Sequence, residues 1–119
     1  MSEELFRKDD VIFRYTLADA ERDGLAIRNQ WGDSLISHVT IGVWNQYARR
    51  LGKGPPAPTV IDVTQLREVI DAAAACVRAA LKEKEDEWLV TGIQAPDGKE
   101  LWAVLNETGK WTLMFPDEY

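Results

Sequence analysis

The segment from Thr64 to Lys84 leaves this chain the least freedom. Leu66, Val69, Ile70, Ala73, Val77, Ala80 and Leu81 recur at spacings of three and four, which places them along one side of a helix. Asp62 or Thr64 supplies the cap at its start. The alanine run at 72–75 favours helix and lets a neighbouring element approach closely. Lys82 and Lys84 complement the dipole at its end. Cys76 reads as a small buried residue on the inner side of this helix. A helix with one apolar side persists only if another layer covers that side.

The residues that follow supply such a layer. Trp88 to Ala95 is strand-like, Pro96-Asp97-Gly98-Lys99 is a strong turn signal, and Leu101 to Asn106 is a second strand. A turn at Glu107-Thr108-Gly109 leads to a third strand, Lys110 to Phe115. There Trp111, Leu113 and Phe115 share one face, with Thr112 and Met114 on the other. Three antiparallel strands need a cover on their apolar side. The expected fold class is therefore α+β: a three-stranded antiparallel C-terminal meander packed against a long helix, with shorter N-terminal helices and strands.

The N-terminal half is read in shorter pieces. Residues 1–9 are mostly charged and are expected to fray, and Asp10 to Tyr15 reads as extended. Thr16 with Asp19 forms a capping box for a short helix from Leu17 to Asp23, ended by Gly24. Leu25 to Arg28 alternates like a strand. Thr40 caps a helix expected from Ile41 to Leu51, with Ile41, Trp44, Tyr47, Ala48 and Leu51 on one face and Gly52 as its stop. The β-branched run Val39-Thr40-Ile41 argues instead for a strand at the beginning of that stretch. Gly52 to Thr59 holds three prolines and two glycines in eight residues, which excludes helix and central strand. It is too short to separate domains with cores of their own, so it reads as a loop inside one domain spanning 1–119.

With 119 residues, 45% hydrophobic and 29% charged, the chain can bury a core without covalent staples. Cys76 is the single cysteine, so no internal disulfide is possible, and this suits a reducing compartment. No apolar run approaches the roughly 20 residues of a membrane span. The opening Met1 to Lys8 lacks the pattern of a secretory signal. The expected location is cytoplasmic.

The net charge of −6 is unevenly placed. Residues 1–82 carry 11 acidic and 11 basic side chains, whereas residues 83–119 carry 9 acidic and 3 basic ones. A surface of that sign repels phosphate backbones and attracts basic proteins, which argues against direct nucleic-acid binding.

Catalytic signals are missing from the pattern. His38 is the single histidine, and no metal-ligand spacing accompanies it or Cys76. Ser34 and Ser37 lie near His38, but proximity in sequence is not a triad. Gly52-Lys53-Gly54 leads into prolines, not into a phosphate-binding helix. No catalytic, cofactor or metal residues are expected, and no cofactor. The acidic cluster Glu83, Glu85, Asp86 and Glu87 reads either as a solvated helix end or as a contact surface for a basic partner; on the second reading the residues expected to bind a partner are these four with Asp97, Glu100 and Trp102. Of the five tryptophans, Trp44, Trp88, Trp102 and Trp111 occupy positions suited to core packing. Strand alternation qualifies this: with Trp88 and Trp111 under the helix, Trp102 faces outward, or the reverse. An outward tryptophan beside acidic residues makes an interaction hot spot.

The chain resembles a family of small, functionally uncharacterised proteins of phages, plasmids and their bacterial hosts. The resemblance rests on Asp10-Val11-Ile12, Tyr15-Thr16, Ala18, Ala20 and Asp23-Gly24, on Val43-Trp44, and on Thr112-Leu113-Met114-Phe115-Pro116. In outline it covers most of the length with the order of elements preserved. The proline-bearing loop and the acidic Glu83–Glu87 segment depart from the family. The resemblance implies a mobile-element origin and carries no activity. Size, charge and origin together point to a non-enzymatic interaction protein, such as an anti-CRISPR-like inhibitor docking its acidic half on a basic host surface. The rival reading is a self-associating accessory protein, a homo-oligomer joined through an exposed edge strand Lys110–Phe115 or an aromatic sheet face. An enzyme built from scattered carboxylates is the third. Should the acidic surface prove inert, Trp31 and the Gly52–Thr59 loop are the next places to look.

Overall fold

The computed structural model describes residues 16–52 and 60–119. The expectations for residues 1–15 and 53–59, including the opening segment of the family resemblance, lie outside the described residues. In chain order the elements are α1 (Leu17–Arg22), β1 (Ala26–Arg28), β2 (Ile36–Thr40), α2 (Ile41–Tyr47), β3 (Arg49–Leu51) and β4 (Val60–Asp62). There follow α3 (Thr64–Glu83), β5 (Leu89–Gln94), β6 (Glu100–Leu105), β7 (Trp111–Met114) and a 3₁₀ turn at Pro116–Glu118. The α+β class is as read from the sequence.

Local chemistry sets the helix starts. Thr16 Oγ1 accepts from Asp19 N at 3.1 Å while the Asp19 carboxylate accepts from Thr16 N, closing the capping box. Gly24 then ends α1 at φ 74°, a backbone conformation that costs glycine nothing. Thr40 is at once the last residue of β2 and the cap of α2, so both readings of the Val39–Ile41 run hold, one on each side of Thr40. At α3 the residue in the cap position is Val63, and Asp62 instead accepts from Thr64 N at 3.0 Å.

The meander is larger than three strands. β5, β6 and β7 pair antiparallel as expected, and β2 then pairs parallel to β7, with β1 antiparallel beyond it. The sheet order is β1-β2-β7-β6-β5. The Lys110–Phe115 segment is therefore no exposed edge. β7 lies in the middle of the sheet, and the edges are β1 and β5. The correction has a plain cause: a strand's own alternation does not reveal that a distant strand pairs with its second side.

One buried cluster unites the layers. Leu66, Val69, Ile70, Ala73, Ala74 and Val77 of α3 meet Ile36, Val39, Leu101, Ala103, Trp111 and Leu113 of the sheet, with Val43 and Tyr47 of α2. Ala73 and Ala74 are the inner half of the alanine run, and Ala72 and Ala75 face out. The loop before β2 packs against α3 through Gly32, which lies over Ile70 and Asp71. A Cβ on Gly32 would lie 2.6 Å from the Ile70 side chain. Cys76 is a correction, because it is exposed. One residue back from Val77 turns about 100° around the helix, which carries Cys76 off the buried stripe.

The expected helix to Leu51 stops at Tyr47. Ala48 is extended, and Arg49–Leu51 pairs with Val60–Asp62 as a separate two-stranded ribbon. Hydrogen bonding to a partner strand nine or more residues away outweighs the apolar spacing that would continue the helix. Among the described residues, no helix is long and apolar enough to cross a membrane.

Candidate interaction site

The acidic segment begins where the apolar stripe of α3 runs out. After Leu81 the sequence Lys82-Glu83-Lys84-Glu85-Asp86-Glu87 offers nothing to bury, so the helix closes with Lys84 N donating to Ala80 O, and Glu87 N turns back to Lys84 O. Trp88 enters the sheet through its carbonyl, which accepts from Leu105 N at 2.9 Å. Trp88 is 50% exposed, and Leu105 beside it is 41% exposed. The expectation of a core position for Trp88 is thereby corrected. It lies at the end of the sheet, past the last buried turn of α3, with no covering layer among the described residues. Glu83, Glu85 and Asp86 are exposed, and no described Lys or Arg forms an ion pair with any of them or with Glu87. The result is an exposed apolar pair that follows directly, in the chain, on an acidic run of four carboxylates.

Asp97, Glu100 and Trp102 lie elsewhere. They lie toward the turn of the β5–β6 hairpin: along β6 from Leu105, Trp102 is about 10 Å away by strand rise and Glu100 about 17 Å, with Asp97 in the turn beyond. Asp97 accepts from Tyr47 OH at 2.9 Å, from Gln46 Nε2 and from Lys99 N. Partial burial pushes its carboxyl upward, but these three donors outweigh that and hold it below the ordinary range. Burial first, then the Asp97 carboxylate, keep the Tyr47 phenol far above its usual value. Asp97 is thus a fastener between α2 and the hairpin turn. Glu100 accepts from Gly92 N and Trp102 Nε1, both at 3.0 Å. Trp102 faces outward, opposite to its buried neighbours Leu101 and Ala103, and meets Tyr119 edge-on with centroids 5.5 Å apart. Trp111 is buried, and Trp44 is partly buried against Trp31. The seven residues expected to bind a partner therefore form two groups, one before the start of β5 and one from the middle of β6 to the hairpin turn.

A third cluster escapes the sequence reading. Ser37 Oγ is 2.7 Å from His38 Nδ1, and His38 Nε2 is 2.6 Å from Glu21 Oε1. Asn106 Nδ2 donates to Ser37 Oγ and to Thr112 Oγ1. A carboxylate accepts only, so Nε2–H points to Glu21, and in the neutral imidazole Nδ1 receives the Ser37 hydroxyl. That is the order of a hydroxyl–imidazole–carboxylate relay. His38 is only 5% exposed, however, and Glu21 is also gripped by Arg28. His38 first, then Arg28, hold the Glu21 carboxyl low against the opposing effect of burial. The cluster fastens α1 onto the outer side of the sheet. Only the adjacency of Ser37 and His38 is visible locally; Glu21 lies 17 residues before His38 and Asn106 lies 69 residues after Ser37.

Of the open clefts among the described residues, two adjoin Glu100 and Leu105. One, of about 480 Å³, is lined by Gln46, Lys99, Glu100, Phe115, Pro116 and Asp117. The other, of about 400 Å³, lies on the outer sheet face between Leu17, Leu25, Ile41, Val104, Leu105 and Met114. Among the described residues no three His, Cys, Asp or Glu side chains converge as metal ligands. No buried side-chain nitrogen or oxygen among them lacks a hydrogen bond. No family model matches the chain, and neither the curated proteins nor the solved structures compared with it give a significant match.

Proposed function

We propose that this chain is a non-enzymatic interaction protein that docks its acidic end on a basic surface of a host protein. The observation that carries this reading is the exposed Trp88–Leu105 pair directly after the acidic run Glu83, Glu85, Asp86 and Glu87. An exposed aromatic anchor next in the chain to unpaired charge has the composition of a binding hot spot. The carboxylates steer the encounter, and the indole holds it. Asp97 and Glu100 belong to the fold's own hydrogen bonding and take a lesser role, while Trp102 and Tyr119 offer a separate aromatic edge. The family resemblance adds a mobile-element origin, and with it a cytoplasmic place of action inside a bacterial host. A nucleic-acid-handling protein of a defence system is the partner whose surface has the required charge.

The test is kinetic. A partner captured from host lysate is purified, and its association is followed at rising salt and with Glu85→Lys, Asp86→Lys and Glu87→Lys combined. Association slows in both experiments, since exposed charges are screened beyond about 8 Å at physiological ionic strength. An association rate indifferent to both removes the electrostatic reading. Trp88→Ala then separates anchoring from steering, because it speeds dissociation with little change in association.

A further inference from the structure

Strict alternation along β2 would turn Ile36 and Val39 to opposite faces of the sheet, yet both lie in the core. An irregularity in the pairing of β2 with β7, between Ile36 and His38, accounts for this. It turns two consecutive side chains, Ser37 and His38, to the outer side, where they meet Asn106 and Glu21. Ser37 Oγ is thereby set 2.7 Å from His38 Nδ1, to which it donates. Asn106 Nδ2 takes one lone pair of the same oxygen and leaves the other available. Ser37 is half-buried, and beside it opens a cleft of about 320 Å³. Its lining includes Arg28, Ser34, Ser37, His38, Thr108 and Lys110.

The bonds that fasten α1 to the sheet therefore also polarise a hydroxyl that borders open space. We propose that Ser37 is an acyl-modification site, which takes one short acyl group per chain from an activated ester. Ser37 Oγ attacks the carbonyl carbon while its proton passes to His38 Nδ1. Glu21, 2.6 Å from His38 Nε2, stabilises the imidazolium that forms. Arg28 and Lys110 supply positive charge to the cleft in which the carbonyl oxygen turns negative. The bond from Oγ to the acyl carbon forms, and the bond from that carbon to the alcohol oxygen breaks. The alcohol leaves with the proton that His38 returns. The cleft is at the small end of ligand-sized sites, which suits a short acyl group. The proposal goes beyond the interaction reading: it uses none of the residues of the acidic end and requires no turnover.

The test is labelling of the purified full chain with p-nitrophenyl acetate, followed by intact mass and peptide mapping over time. Ser37 gains one acetyl group, at least about tenfold faster than Ser34. Ser34 is the internal reference: it is more exposed in the same cleft, and both nitrogens of the single histidine are taken by Ser37 and Glu21. Ser37→Ala removes this adduct and leaves the labelling of lysines and of the exposed Cys76 as it was. Glu21→Gln slows acetylation of Ser37 about tenfold, and His38→Ala about 100-fold. Circular dichroism and thermal melting verify that the variants keep the fold. Where His38→Ala does not melt cooperatively, Ser37→Ala and Glu21→Gln decide. Labelling confined to lysines and Cys76 overturns the proposal. So does a Ser37 rate equal to that of Ser34, or one that Glu21→Gln leaves unchanged, since the cluster is then a fastener only. Each of these failures leaves the acidic end untouched, so the interaction reading stands or falls by its own kinetic test.

Discussion

The β3–β4 and β5–β6 hairpins are both antiparallel and both rich in β-branched and aliphatic residues, yet they end in opposite surroundings. In β5–β6, alternation in β6 and a bulge between Val90 and Ile93 in β5 send Val90, Ile93, Leu101 and Ala103 beneath α3, and a mix of polar and apolar side chains, Trp102 and Val104 among them, to the other face. Its turn is held by Asp97 to Tyr47 of α2. In β3–β4 each strand has three residues, and all three apolar side chains stay exposed. The difference lies in the neighbours more than in the strands. A hairpin adjacent to a broad sheet and under a helix becomes core, and one that extends past the start of that helix becomes surface. Apolar residues without a cover are then available to another molecule.

The largest test of this contrast compares leucines. Leu101→Ala removes a fully buried side chain and is expected to cost about 2–5 kcal/mol in denaturant unfolding. Leu51→Ala, the same substitution in the ribbon, should stay within about 0.5 kcal/mol when measured on dilute monomer. Equal losses would mean that the ribbon is packed after all.

The anchoring of the covered hairpin is probed next. Tyr47→Phe keeps the ring and deletes the hydroxyl that reaches Asp97, and about 1 kcal/mol of stability should go with it. Amide exchange around 95–99 should rise, while the ribbon amides keep their rate. An unchanged melting curve would show that packing alone holds the turn.

Acid sharpens the contrast further, because the covered body has an ion pair across its loop. Arg78 first, then the Leu35 amide, hold the Asp33 carboxyl down to about 2 from the ordinary 3.8. A lowered folded-state pKa stabilises the fold above the unfolded value, and that contribution fades as pH falls from 3.8 through about 2. Thermal melting across this window should decline less steeply in Asp33→Asn than in the wild-type chain. Parallel curves would assign the acid sensitivity elsewhere.

The smallest effect on stability belongs to the acidic end. Reversing Glu85, Asp86 and Glu87 together should move unfolding by less than about 0.5 kcal/mol, since the cluster has no described ion pair to lose. A large loss of stability would make the cluster a component of the fold and not a docking rim.

What the sequence determined by itself is what each element carries in its own periodicity. The extent of α3, the three C-terminal strands, the Pro96–Lys99 turn and the capping threonines Thr16 and Thr40 can all be read from residues within a few positions of one another. The candidate site is only partly legible there. The acidic cluster is visible, and the outward Trp102 is one of two stated possibilities. The exposure of Trp88 is not, because an aromatic residue at a strand's start looks the same whether or not the helix above reaches it. Only the tertiary structure decided that β2 runs parallel beside β7, that Cys76 faces out, and that Arg49–Leu51 leaves the helix to pair with Val60–Asp62. It also decided that His38 joins Glu21, Ser37 and, through Ser37, Asn106. The physical reason is common to these cases. Local spacing specifies which side of an element is apolar, but hydrogen-bonding partners and covering layers come from residues far along the chain, and no local pattern encodes where those residues will lie.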